Sequence, residues 1–114
     1  MAPEISFAVV THNNADTVRA CLASALDCGL DCEALVVDNG STDGTADVIR
    51  RDVPGARLLE AGANLGFARG MNLALEYARG ELFFPLNPDA SLAPGSTRLL
   101  RDALLADPEA GGAS

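Results

Sequence analysis

Two short strings deliver acids to the ends of apolar, strand-like runs: Asp38-Asn39-Gly40-Ser41-Thr42-Asp43-Gly44-Thr45 and Leu86-Asn87-Pro88-Asp89. In an open parallel sheet the carboxyl ends of neighbouring strands share one crevice, so two acids placed there can hold a metal-bound diphosphate and the nucleoside attached to it. That chemistry is recognition of a nucleotide sugar. Asp38 is suited to accept from a base imide or from ribose hydroxyls, and Gly40 and Gly44 let the backbone approach a ligand closely. An acidic helix-capping loop on any doubly wound protein would share part of this pattern. Asp89 is the metal candidate: Mg2+ or Mn2+ takes oxygen ligands and keeps waters, so one carboxylate plus the diphosphate's own oxygens suffices. By itself Asn-Pro-Asp is a turn signal, and its weight comes from its strand context and from Asp38. Arg69, near the start of a helix, is expected to reach the same crevice, the alternative being a solvated arginine, and His12, at the end of the first strand, is either a residue lying against the base or a plain loop histidine.

The elements that must position these residues read as alternating strands and helices. Ile5 to Val10 is an apolar run, interrupted only by Ser6, as in a central strand buried on both faces. A helix follows, capped by Asn14 or Asp16, with Val18, Cys21, Leu22, Ala25 and Leu26 at helical spacing and Gly29 as its stop. Ala34 to Val37 is a second buried strand. After it, Ser41, Thr42 or Asp43 caps a helix to about Arg51, since no partner strand follows Asn39-Gly40 to make a hairpin. Ala56 to Ala61 forms a short outer strand. Asn64-Leu65-Gly66 opens a helix in which Phe67, Met71, Ala74, Leu75 and Ala78 share one face, ended by Gly80. Glu81 to Leu86 is the fourth strand, with Pro85 predicting a frayed end or an exposed edge. Pro94-Gly95 precedes a last helix carrying Leu100, Ala103 and Leu104 and closed by Asp107-Pro108. Short connections between alternating elements predict a three-layer, doubly wound α/β fold with a mostly parallel sheet.

Composition narrows the partners. At 114 residues the chain is a single domain, long enough to bury about two-thirds of its unfolded surface. The net charge is -8, with 8 basic residues, all arginine, against 16 acids. Nucleic acid is excluded as a partner, because a polyanion needs a clustered basic surface. The same charge would repel a diphosphate, which makes a bridging divalent cation, helix N-termini and a placed arginine more necessary. Cys21, Cys28 and Cys32 are odd in number and lack Cys-x-x-Cys spacing, so they read as reduced, half-buried thiols of a cytosolic chain rather than as a zinc site with His12. No signal sequence or membrane-length apolar stretch is legible, and the expected location is cytoplasmic. Without such a signal, the Asn39-Gly40-Ser41 sequon is read as accidental.

Four segments in order, Val9-Val10-Thr11-His12-Asn13, Val36 through Thr45, Asn64 through Asn72, and Leu86-Asn87-Pro88-Asp89, resemble the family 2 glycosyltransferases of GT-A fold over nearly the whole chain. The Asn-Pro-Asp form is most similar to the bacterial rhamnosyltransferase-like branch, whose members often use dTDP-rhamnose to build cell-surface polysaccharide. The resemblance implies that His12 and Asp38 contact the nucleoside, that Arg69 binds it or the diphosphate, and that Asp89 ligates Mg2+ or Mn2+. It implies inverting transfer of the sugar to a glycan or lipid-linked acceptor, deprotonated by a carboxylate from a later half, expected beyond Ser114. Residues 1–108 then correspond to the nucleotide-sugar-binding part and 109–114 to a truncated tail, without the acceptor-binding half and with no turnover expected from this chain alone. A full-length protein is expected at the inner face of the membrane. Asn87 departs from the family's usual Asp-x-Asp and is expected to weaken the metal site. An edge uncovered by the missing half implies self-association.

Three rival readings share parts of this pattern. A Rossmann dehydrogenase needs a glycine fingerprint after its first strand, and Thr11-His12-Asn13-Asn14-Ala15-Asp16 has no glycine. A nucleotidyltransferase would carry a Gly-rich basic loop there. A non-catalytic nucleotide-binding or interaction module shares every donor motif and differs only in lacking transfer.

Overall fold

The computed structural model describes residues 3–93 and 95–106. Within them, β1 (Ile5–Thr11), α1 (Val18–Leu26), β2 (Cys32–Asp38), α2 (Thr45–Asp52), β3 (Arg57–Glu60), α3 (Phe67–Tyr77), β4 (Leu82–Leu86) and α4 (Ser96–Ala106) alternate along the chain. The four strands form one sheet in the order β3-β2-β1-β4, and each pairing is parallel. The chain steps outward from β1 to β3 with α1 and α2 on one face, then returns to the far side of β1 after α3, which packs on the other face. Reversing direction while changing face keeps every crossover of one hand. It also makes the carboxyl end of β1 the point where the winding switches, and ligand crevices open at such points.

β1 is central, and all of its residues from Ile5 to Thr11 are buried, the hydroxyls of Ser6 and Thr11 included, each with a hydrogen-bond partner. Val9, Ala34 and Val36 pack with Val18, Cys21 and Leu22 of α1 and Ile49 of α2. Lower on that face, Ile5, Phe7 and Leu82 pack with Ala25, and the Phe7 and Phe84 rings meet edge to face at 5.8 Å. Ala8, Val10 and Val37 meet Ala74 of α3 on the opposite face. Each large side chain here contributes roughly 1.5–3 kcal/mol by leaving water.

Several expectations are corrected. The cap position of α1 is Thr17, not Asn14 or Asp16, because Asn14 turns its carbonyl to the N–H groups of Thr17 and Val18 and its side chain to Thr11. That helix closes at Asp27, before Gly29. β2 begins earlier than the apolar run, at Cys32. The buried stripe of α3 is Gly70 and Ala74, whereas Phe67 and Leu75 are 60% and 53% exposed. A Cβ on Gly70 would lie 2.8 Å from Val10 Cγ1, so the helix approaches β1 too closely for a large residue. Met71 and Leu73 pack only at its flanks. α3 ends at Tyr77 with Ala78 extended, ahead of Gly80. Pro85 does lie on an edge strand, exposed, as its missing N–H requires. In α4, Ala103 is exposed, and the expected close at Asp107-Pro108, the tail from Glu109 and the side chains of Leu100 and Leu104 lie outside the described residues.

The end of α3 is tied down by Glu33, which is 8% exposed. Its carboxylate accepts from Ser6 Oγ at 2.5 Å, the Arg79 backbone N–H at 2.7 Å and Arg57 at 3.0 Å. Arg57 also donates to the Tyr77 carbonyl at 2.9 Å, and the Gly80 N–H donates to Ser6 Oγ at 2.8 Å. The chain groups left over at a helix end thus find partners in the sheet. Gly80 sits so close that an added Cβ would be 2.6 Å from Ser6 N and 2.7 Å from Ile5 C, backbone atoms that cannot swing away. Gly80→Ala is therefore expected to cost about 1–3 kcal/mol, read as a fall in the urea midpoint of unfolding. An unchanged midpoint would show that this turn does not press on β1.

Candidate functional site

The carboxyl edge of the sheet collects the polar residues. Thr11 stands beside Asp38 in register, and Val9 stands beside Leu86, so the segments after β1, β2 and β4 emerge at one edge with β1 in the middle. Asp38 ends β2 and Asp89 follows β4, the two strands that neighbour β1, which lie roughly 10 Å apart across β1 at normal strand spacing.

Asp38 is 4% exposed. Its Oδ1 accepts the Ser41 N–H at 3.1 Å, which shapes the turn after β2, while Oδ2 takes no hydrogen bond from the described residues. One carboxylate oxygen is thus committed to the fold, and the other has no protein donor among the described residues. His12 is exposed, and its Nδ1 lies 2.7 Å from the Asn39 carbonyl. A carbonyl can only accept, so Nδ1 carries the proton, and Nε2 faces the Asn13 amide at 3.3 Å as an acceptor. The ring is held in one orientation at the rim.

Residues without an assigned role in the sequence build the frame. Asn13 adopts φ 57°, donates its N–H to Ser41 Oγ at 2.9 Å and accepts the Thr42 N–H at 2.8 Å, which staples the loop after β1 to the loop after β2. Thr45 is fully buried, and its hydroxyl accepts the Asn14 N–H and donates to Asp43. The cap position of α2 is Gly44 at φ 88°, not Ser41, Thr42 or Asp43; Asp43 sits one residue before it and accepts the Thr45 N–H at 3.1 Å and the Ala15 N–H. These donors, the Thr45 hydroxyl foremost, hold its carboxyl below the ordinary range. Asn39 is 2% exposed, its Nδ2 donates to the Gly66 carbonyl at 3.1 Å, and its Oδ1 is buried with no partner among the described residues. That amide joins the β2 loop to the start of α3. The available signal was a run of small polar residues directly after each buried strand.

Arg69 lies in the first turn of α3, three residues beyond the Gly66 carbonyl that Asn39 holds; it is exposed and makes no ion pair among the described residues. Its freedom comes from the close packing of Gly70, and not from a buried Phe67–Met71 face. Asp89 is exposed in the segment after β4, where the Ala90 N–H bonds the Asn87 carbonyl at 3.0 Å and Cys21 Sγ approaches the same carbonyl at 3.2 Å. Burial first, and the nearby Asp89 charge second, push the Cys21 thiol up to about 11. Among the described residues no three metal-ligating side chains cluster. A hard cation is compatible with this donor set only if a single carboxylate holds it and the ligand's oxygens complete the shell.

The sequence profile described as glycosyl transferase family 2 matches residues 6–112. The chain is 37% identical over 89 residues to an N-acetylglucosaminyl-diphospho-decaprenol L-rhamnosyltransferase of Mycobacterium tuberculosis, covering 68% of this chain and 29% of that protein. Among solved structures, Staphylococcus aureus TarS 1-349 in complex with UDP superposes with a TM-score of 0.78 at 23% identity, over 91% of this chain and 32% of that one. The mannosyltransferase PcManGT of Pyrobaculum calidifontis, in complex with GDP-Man and Mn2+, superposes with a TM-score of 0.75 at 28% identity, over 100% of this chain and 33% of that one. The chain spans about a third of the length of each of these relatives. With its four parallel strands and these matches, the chain belongs to glycosyl transferase family 2, is related to its rhamnosyltransferases, and has the GT-A fold.

Proposed function

We propose that residues 1–108 are the donor-binding part of an inverting glycosyltransferase that passes a sugar from a nucleotide-diphosphate sugar, with dTDP-rhamnose as the leading donor, to a glycan or lipid-linked acceptor. The observation that carries this reading is the divided use of Asp38: one oxygen shapes the turn, the other stays unpaired at the carboxyl edge. In this reading Asp38 accepts from the base or ribose, His12 lines the nucleoside at the rim, and Arg69 binds the nucleoside or the diphosphate. Asp89 would hold Mg2+ or Mn2+ together with the diphosphate oxygens, and the cation when bound would neutralise charge on the departing nucleoside diphosphate. The rhamnosyltransferase relative supports the choice of sugar, and the neighbour crystallised with GDP-Man and Mn2+ supports the metal. The carboxylate that deprotonates the acceptor would come from beyond Ser114, and the protein would work in the cytoplasm, at the inner face of the membrane. No helix among the described residues is long and apolar enough to cross one.

Asp38→Ala is expected to weaken nucleoside diphosphate binding by roughly 10–100-fold, the worth of a hydrogen bond to a charged group, with the dependence on Mn2+ retained. Titration calorimetry with dTDP and UDP reads both quantities. Unchanged affinity would remove Asp38 from the site. Donor binding without sugar release from dTDP-rhamnose or UDP-sugars, in a protein carrying its downstream half, would favour the non-catalytic module. Self-association through an uncovered strand edge is part of the proposal, and a monomer independent of concentration in sedimentation would refute it.

A further inference from the structure

Cys28 and Cys32 take no part in the donor site. They bracket the turn that leaves α1 and enters β2, in which Gly29 adopts φ 80° and folds Cys28-Gly29-Leu30-Asp31-Cys32 back on itself. The two sulfurs come to rest 3.5 Å apart, van der Waals contact between thiols, where a disulfide needs about 2.05 Å. Cys32 Sγ is also 3.6 Å from the Ala25 carbonyl, on the last turn of α1. Cys21, by contrast, is fully buried and committed to the Asn87 carbonyl. Both Cys28 and Cys32 are partly exposed, and Cys28 lines a cleft with Ser24, Asp27, Leu92 and Thr97 between the end of α1 and the start of α4. A small molecule can therefore reach Cys28 at the edge of the sheet opposite the acids.

We propose that Cys28 and Cys32 form a reversible dithiol site, closing to an intramolecular disulfide by exchange with a small-molecule disulfide of the oxidised glutathione class. In the first step Cys28 loses its proton, its thiolate attacks one sulfur of the oxidant, and one glutathione thiolate leaves. In the second, Cys32 loses its proton and attacks Cys28 Sγ of the mixed disulfide, expelling the other glutathione. Two protein thiols are oxidised, one small disulfide is reduced to two thiols, and the departing thiolates take up the protons. The order follows from the environments. Cys28 lines the cleft through which an oxidant arrives, whereas Cys32 lies against the Ala25 carbonyl, where burial and then the contact with Cys28 raise its pKa, so Cys28 attacks first and Cys32 resolves. Ring closure is expected to quicken about tenfold per pH unit across the neutral range, as the Cys32 thiolate fraction rises.

The test equilibrates the chain with mixtures of oxidised and reduced glutathione, quenches with acid, alkylates under denaturing conditions, and reads mass and linked peptides. Expected is one two-electron transition in which Cys28 and Cys32 lose alkylation together, joined in one cross-linked peptide, with Cys21 alkylated throughout. Cys32→Ser should stop at a glutathione adduct on Cys28, and Cys28→Ser should acquire little adduct. The folded chain should oxidise at an oxidant ratio about tenfold lower than the same chain in urea, because the fold holds the sulfurs together. Stable glutathione adducts on the parent chain without a Cys28–Cys32 link, a link through Cys21, or equal ratios in folded and unfolded chains would overturn the proposal.

Discussion

Alanine at Asp89 is expected to abolish the Mn2+-dependent part of nucleoside diphosphate binding while leaving the fold intact. The chain carries a net charge of -8, so a diphosphate approaches it against repulsion unless a cation intervenes. In the proposed site one protein carboxylate anchors that cation, and its loss is expected to lower metal affinity by more than about 100-fold, beyond what the loss of a supporting group costs. The carboxylate is exposed and contributes nothing to the core, so stability should change by less than about 0.5 kcal/mol. Titration calorimetry of dTDP with and without Mn2+ measures the first effect, and a thermal melt measures the second. Asn87→Asp supplies the converse: a second acid two residues from Asp89 should tighten Mn2+ binding. If Asp89→Ala leaves the metal dependence unchanged, the cation is held elsewhere.

The largest loss of stability is expected from Glu33→Ala. Removing this buried carboxylate leaves the Ser6 hydroxyl and the Arg79 backbone N–H without their acceptor and Arg57 with the Tyr77 carbonyl alone, and breaking such a pair from one side costs up to about 3–5 kcal/mol. For a domain of this size that is a fall in Tm of more than about 12 °C, readable by circular dichroism. Glu33→Gln keeps an acceptor and should lose less. The group also sets acid sensitivity. Burial alone would raise its pKa, but the hydrogen bonds from Ser6, Arg79 and Arg57 outweigh it and hold the carboxyl below its ordinary value. The folded state therefore binds fewer protons than the unfolded one, and the stabilisation is complete above the unfolded value of about 4.3. It is lost as pH falls through the lowered folded value. A Glu33→Gln chain should unfold over a less acid-dependent range, and an identical acid transition would assign the sensitivity to other carboxylates, Asp43 first.

What could be read along the chain and what could not divides by the kind of residue involved. β1 and β2 are legible because a parallel strand covered on both faces must be apolar at nearly every position, and few other local structures demand that. Glu33 escapes the same reading: a glutamate beside an apolar run looks like a loop residue until Ser6, Arg57 and Arg79 are seen to surround it. The face of α3 was misjudged because periodicity counts large apolar residues, while this helix is seated on β1 by the absence of side chain at Gly70 and the small one at Ala74. Phe67 and Leu75 stay outside for that reason. Within the site, Asp38 and Asp89 could be singled out as acids at strand ends, whereas Asn39, buried and bonded to Gly66, resembles any turn asparagine in sequence.

From the amino-acid order alone came the alternation of strands and helices, the central place of β1 and the acids that close two of the strands, because each is expressed in the spacing of near neighbours. The tertiary structure decided which residues meet: Thr11 beside Asp38, Asn39 with Gly66 at a separation of 27 residues, Gly80 with Ser6 at 74, and the contact between Cys28 and Cys32. Such meetings depend on the strand order β3-β2-β1-β4 and on how closely each helix can approach the sheet. Both are settled by the packing of distant surfaces, a property that no local window of sequence contains.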